Sequence, residues 1–344
     1  MSVPRTQTPA TSLIERYTAV TQSTDKDVFT NTHALFQAPG YRGIYGGATI
    51  SHSLSAAQKT VPPEFYAHTL HCSFVAAGQS DSPITYRVRR VRDGKNFVHR
   101  QVEAQQKGKT IFTATLSFVR DGSEGREKLE HAVNMPTDVI APPDCPSEGI
   151  DERFPPFESI RYPLLRLGSA SENRERQWMR ARGRLPDDPH VHQSALAYMS
   201  DSYLVGAIAR VHSAKDSPSN RPRSIKSKMR AFPGSASDMQ EMRRYLESIG
   251  FGRVADTVSQ VSEETVRREQ KRIDFVVSLN HSMYFHCPSA FRADEWMFTE
   301  TEVPWTGGGR GLVTQRIWGK NGHLIATCTQ EGLVRLHSQK DEKL

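Results

Sequence analysis

The stretch "AYMSDSYLVGAI", residues 197–208, puts one carboxylate where a helix would bury it. Tyr198, Asp201, Val205 and Ile208 follow at spacings of three, four and three residues, so on a helix they share one face, otherwise apolar. A lone aspartate is rarely buried without a partner. Two readings follow from the residue type. A carboxylate partly removed from water titrates above the ordinary aspartate value of about 3.9 and can accept a proton from water near neutral pH. Alternatively, a neighbouring backbone group satisfies it and its role is structural. His68, His71, His281 and His286 are the other candidates for acid–base or metal chemistry. His281 and His286 are five residues apart, which on a strand points them to opposite faces and keeps them off a common ion. All four read as structural. No phosphate-binding loop, dinucleotide fingerprint, serine nucleophile elbow or zinc-ligand spacing occurs, so neither cofactor nor metal is expected.

The elements that must position Asp201 come twice. Its helix is expected over about 190–212, fed by a turn at Asp187-Asp188-Pro189 and preceded by a strand in "RQWMRARGRLP". The segments "FVVSLNHSMYFH", "WMFTETEVPW", "RGLVTQRIWGKNG" and "HLIATCTQEGLVRL" then read as strands. Earlier in the chain, the Gly46-Gly47 pair precedes a helical run with Ile50, Leu54 and Ala57 on one face. Four extended segments follow between residues 67 and 120, with Asp93-Gly94 and Lys107-Gly108 as turn signals, and they read as an antiparallel meander. Two local echoes support an internal repeat: "HTLHCSF" aligns with "SLNHSMY", matching His71 to His281, and "GKTIFTATLSFV" aligns with "GHLIATCTQEGLV". Residues 1–120 and 176–344 are therefore taken as two repeats. The proline-rich, charged stretch 121–175 is a connector, and two amphipathic helices are expected in an insertion at about 213–273.

The 344 residues suit one large core or two ordinary domains, with 37% hydrophobic and 24% charged side chains. No stretch reaches the ~20 apolar residues of a membrane span. No apolar leader is visible at the start, and Cys72, Cys145, Cys287 and Cys328 lack metal spacing, which together read as reduced thiols inside a cell. The net charge of +7 favours anionic partners. Its local concentration at Arg221, Arg223, Lys226, Lys228 and Arg230 reads as a solvated loop, and no nucleic-acid-binding module accompanies it.

A helix and meander used twice suggest a double hotdog. The segments "RQWMRARGRLPDDPHVHQSALAYMSDSYLV" and "VSLNHSMYFHCPSAFRADEWMFTETEVPWTGGGRGLVTQRIWGKNGHLIATCTQEG" resemble the type II acyl-CoA thioesterases. "YGGATISHSLSAAQKTVPPEFYAHTLHCSFVAAG" and "RDGKNFVHRQVEAQQKGKTIFTATLSF" resemble the first repeat of that family. The resemblance implies an α+β fold in which one continuous sheet wraps two central helices. It also implies a thioester hydrolase in which a carboxylate, a hydroxyl and a glutamine activate one water. By motif these fall on Asp201, Ser278 and Gln330, Ser278 standing where many relatives have threonine. Two departures from the family pattern are Ala48, where relatives have glutamine, and Asn280, where they have aspartate. Gly46, Gly47 and Arg310 are the candidates for holding an acyl-CoA substrate, the glycines through backbone N–H groups and the arginine through phosphate.

Two other functions stay in view: a hotdog hydratase or dehydratase acting on acyl thioesters, which wants a histidine acid–base partner, and a non-catalytic acyl-CoA-binding protein. No nucleic-acid or membrane partner is expected, and self-association is left open. The final "EKL" loosely echoes a peroxisomal address. Relatives are peroxisomal or bacterial cytoplasmic proteins, so the expected location is peroxisomal or cytosolic.

Overall fold

A computed structural model of the chain describes residues 12–35, 43–144, 156–212 and 273–336, with Ser237 and Gln240 alone between the last two segments. Apart from Ser237, Gln240 and Ile273, the expected helical insertion lies outside the described residues, as do the basic loop and Cys145.

The first half runs α1 (Leu13–Thr18), β1 (Val20–Gln22), β2 (Val28–Asn31), α2 (Gly46–Gln58), β3 (Phe65–Phe74), β4 (Thr85–Asp93), β5 (Phe97–Gln106) and β6 (Lys109–Arg120). The second runs β7 (Phe157–Arg161), β8 (Arg174–Ala181), α3 (Pro189–Ser200), α4 (Ala207–Val211), β9 (Ile273–Ser278), β10 (Asn280–Phe285), β11 (Met297–Gly307), β12 (Arg310–Gly319) and β13 (Leu324–Leu336). One 13-stranded sheet contains every strand of the described residues, in the order β1-β2-β4-β5-β6-β3-β10-β13-β12-β11-β8-β7, with β9 added against β13. Read outward from the β3–β10 seam, both halves have the same order. The repeat is therefore structural.

Three expectations change. The extended segments of each half do not form a simple meander, because β3 pairs with β6 rather than β4, and β10 with β13 rather than β11. Alternation of residue type marks a strand but carries no information about distant neighbours. The helix expected over 190–212 stops at Ser200, and a turn with Tyr203 at φ 60° leads into the short α4. Asp201 is thus the C-cap of α3 and not a mid-helix residue. The Gly46-Gly47 pair does not precede its helix but forms its first two residues.

Residues 121–144 and β7 occupy the stretch expected as a connector. The former lies against Trp178, Trp296, Phe298 and Trp318, with the Trp318 and Trp296 indoles donating to the carbonyls of Val133 (2.9 Å) and Pro143 (3.2 Å). β7 pairs with β8 at the sheet edge. Lys107 and Gly108 form the expected two-residue hairpin turn, both with positive φ (51° and 73°).

The sheet curves around α2 and α3, which pack antiparallel and are buried on almost all sides. Ile50, Leu54, Ala57, Ala195, Leu196 and Met199 are each at most 1% exposed. Small residues let the helices approach: the Ser55 hydroxyl donates to the Ser194 Oγ at 3.0 Å. Among the described residues no helix is long and apolar enough to cross a membrane, and Cys72, Cys287 and Cys328 are free thiols.

Candidate active site

Where α3 stops, its end meets the start of α2, the end of β9 and the middle of β13. Inward-facing positions on β13 alternate as Ala326, Cys328, Gln330 and Gly332, so the period of the strand delivers the Gln330 amide into the interior, with no exposed surface. Ser278 is the last residue of β9 and lies opposite Gly332. The Gln330 Nε2 donates one hydrogen to Asp201 Oδ1 at 2.9 Å and the other to Ser278 Oγ at 2.8 Å. A primary amide has two such hydrogens, so this geometry uses both and fixes the amide plane between carboxylate and hydroxyl.

Asp201 is held from the other half of the molecule. The Gly47 N–H at the start of α2 donates to its carboxylate. That helix N-terminus carries positive partial charge and favours an anion there. Side chains are excluded at this junction. A Cβ on Gly46 would come 2.8 Å from Asp201 Oδ2, and one on Gly47 would come 2.3 Å from the Tyr198 carbonyl oxygen. The Tyr45 hydroxyl ties the same junction by donating to that carbonyl at 2.7 Å. Beyond Asp201, the turn lies flat on the sheet because a Cβ on Gly332 would sit 2.4 Å from Val205.

Desolvation pushes the Asp201 carboxyl up to about 6, against the lowering effect of the hydrogen bonds from Gln330 and Gly47. The group is charged at neutral pH and basic enough to accept a proton. Beside it stand a buried amide and a hydroxyl, polar groups of the kind that can hold a water by hydrogen bonds.

Of the sequence-derived candidates, Asp201, Ser278, Gln330, Gly46 and Gly47 converge. Arg310 does not join them. It sits at the start of β12 in an exposed hairpin, pairs with Glu331 at 2.8 Å and lies over the Trp305 ring. Glu331 follows Gln330 on the strand and so faces the opposite side of the sheet. Asn280 engages the same residue, its Oδ1 accepting from the Glu331 N–H at 3.1 Å. The echo that matched His71 to His281 is misleading: His71 faces outward and bonds Ser282, while His281 is fully buried and opposite Cys72. A one-residue offset reverses the face of a strand residue. His281, read as structural from its spacing, lies directly beside Gln330; its signal is the cross-strand register, which the sequence alone does not carry.

Known proteins resemble this chain along most of its length. Residues 37–119 match the family described as the acyl-CoA thioesterase N-terminal domain, and residues 138–334 match its C-terminal domain. Human acyl-coenzyme A thioesterase 8 is 31% identical, covering 92% of this chain and 88% of that protein. The peroxisomal acyl-coenzyme A thioester hydrolase 1 of Saccharomyces cerevisiae is 27% identical over 90% of this chain and 91% of its own length. Among solved structures, the acyl-CoA thioesterase II TesB2 of Mycobacterium marinum superposes with a TM-score of 0.63 at 28% identity, covering 95% of this chain and 98% of that one. A hotdog-fold protein from Alicyclobacillus acidocaldarius shares the fold at 19% identity and a TM-score of 0.58. With both halves matched and the double hotdog in place, the chain belongs to the type II acyl-CoA thioesterase family and is a hydrolase of that class.

Proposed function

We propose that this protein hydrolyses acyl-CoA to a free acid and CoA through a water activated by Asp201, with Ser278 and Gln330 holding that water. The observation that carries this is the Gln330 amide, which spans the carboxylate and the hydroxyl from a fully buried position. Asp201 takes one proton from the water as its oxygen attacks the thioester carbonyl carbon. The tetrahedral oxyanion then collapses and expels the CoA thiolate, so no covalent enzyme intermediate is required. Fixing the water relative to the carbonyl is where Ser278 and Gln330 contribute, since a misplacement of about 1 Å can cost on the order of 100-fold in rate. Gly47 is committed to Asp201, and Gly46, one residue earlier in the helix, offers the next N–H for the oxyanion. The net charge of +7 suits a polyanionic substrate.

Release of thiol from medium-chain acyl-CoA by the wild type and by Asp201→Asn tests this. A loss of at least about 100-fold in kcat is expected for removal of a general base, and equal rates would remove Asp201 from the mechanism. A change in enoyl-CoA absorbance without thiol release would instead indicate a hydratase. The name of the yeast relative places that protein in peroxisomes. We extend a peroxisomal or cytosolic location to this chain, to be tested by imaging an amino-terminal fluorescent fusion. A panel of acyl lengths then identifies whether fatty-acid turnover or release of a biosynthetic acyl group is the task.

A further inference from the structure

Gln330 can position a water only if its amide stays one way round, and a rotation of the amide by half a turn would present Oε1 to the Asp201 carboxylate. The hydrogen bonds to Asp201 and Ser278 favour the observed orientation, yet Oε1, on the other side, is buried and has no partner that meets normal hydrogen-bond geometry. The side chain that faces it is His281. Because Ser282 pairs with Thr329 between β10 and β13, the next inward-facing cross-strand pair is His281 and Gln330. The two side chains interact, and His281 Nδ1 is likewise buried and without a formed bond. The other ring nitrogen, Nε2, lies 3.1 Å from the Ser200 Oγ. Ser200 is the last residue of α3 and immediately precedes Asp201.

We propose that His281 is a positioning residue for catalysis: its Nδ1–H donates to Gln330 Oε1 and locks the amide with Nε2 toward Asp201 and Ser278. This rests on the water-activation mechanism above. The Ser200 hydroxyl has one hydrogen and two acceptors within reach, the Ala197 carbonyl at 2.9 Å and His281 Nε2 at 3.1 Å. With the proton on Nδ1, the Ser200 hydrogen turns from the Ala197 carbonyl to Nε2, and the Gln330 amide spends its two hydrogens on Asp201 and Ser278. The opposite tautomer would set two acceptors against each other at the centre of the network. A charged ring is disfavoured too, since burial pulls His281 down to about 4. The other titratable groups facing it are Asp201 and the Cys72 thiol on β3, and burial keeps the latter protonated. A neutral histidine held in one tautomer supplies direction without adding charge beside the base.

Two amide substitutions separate this role from packing. In His281→Asn the amide nitrogen reaches the place of Nδ1, whereas in His281→Gln it reaches the place of Nε2 and points to Ser200. The steady-state parameters and melting temperatures of both, with His281→Leu and Asp201→Asn alongside, form the experiment. The expected result is a kcat for His281→Asn within about threefold of wild type, and losses of about 10–100-fold for His281→Gln and His281→Leu with KM little changed. The acid limb of kcat/KM should also move to higher pH in His281→Leu, because an amide free to turn no longer lowers the Asp201 carboxyl. Wild-type kcat in His281→Leu, or activities that follow melting temperature irrespective of donor placement, would overturn the proposal. If His281→Leu does not fold, the Asn and Gln pair decides alone, with equal kcat values counting against the proposal. Full activity of Asp201→Asn would show instead that the water mechanism itself has failed.

Discussion

At the residue scale, one carboxylate has been moved to where it can work. Burial raises the Asp201 carboxyl from 3.8 to about 6, which leaves it ionised at neutral pH yet much more basic than a solvated aspartate. Only the ionised form accepts a proton, so kcat/KM should be flat above about pH 7 and fall about tenfold per pH unit below about pH 6, measured as thiol release across a buffer series. Gln330→Ala removes the largest lowering contribution, so its residual activity should show that limb displaced upward. Ser278→Thr keeps the hydroxyl and should retain kcat within a few-fold, while Ser278→Ala should lose about 10–100-fold, the difference being read at saturating substrate. The same burial acts on stability in the opposite sense. A carboxyl that binds its proton more tightly folded than unfolded favours the fold below about pH 4 and loses that contribution as pH rises through about 6. The three side chains that converge at the candidate site were legible in the sequence through motif resemblance, because Asp201, Ser278 and Gln330 each sit in a distinctive local string. The company of His281 was not, since it depends on which strand lies beside β13.

At the element scale, the start of α2 is built to receive the end of α3. Sequence marks Gly46-Gly47 as unusual, but the conventional meaning of a glycine pair is a turn, and only the packed structure shows that the pair begins a helix pressed against its antiparallel neighbour. The end of α3 was equally hidden. Periodicity runs straight through Asp201 into Val205 and Ile208, and what halts the helix is tertiary: the carboxylate is claimed by Gly47 and Gln330, and the following turn and α4 are drawn onto Gly332 and Gly311. The two glycines should respond differently to alanine. In Gly47→Ala the new methyl meets a backbone carbonyl 2.3 Å away and the Tyr45 ring, neither of which can yield cheaply, so a loss of about 3 kcal/mol or more in denaturant unfolding is expected. In Gly46→Ala the methyl meets the Asp201 carboxylate and the Phe74 ring edge, both of which can swing aside. That variant should melt closer to wild type while kcat falls about 100-fold, because the displaced group is the proposed base. Equal losses of stability in the two would contradict this division of labour.

At the scale of the whole molecule, each of the two halves supplies what the other lacks. The β3–β10 pairing makes one sheet of two, and Asp201 from the second half is held by Gly47 from the first. Gln193 shows how closely they are joined. β10 follows β3 only as far as Thr69 and Tyr284; two residues further on, the Gln193 side chain of α3 replaces the missing strand, donating to the Ala67 carbonyl at 2.7 Å and accepting from its N–H at 3.2 Å. Gln193 has no exposed surface, so its loss leaves backbone groups that water cannot reach. Gln193→Leu preserves the volume and removes both bonds. Two orphaned groups at about 1–3 kcal/mol each predict a loss of about 2–6 kcal/mol, a large part of the stability of an ordinary domain. Calorimetry should show that loss as a single, cooperative transition at lower temperature, with thiol-release activity disappearing along the same curve. Two resolved transitions would mean that the halves melt independently, and that the seam joins two domains that fold without each other.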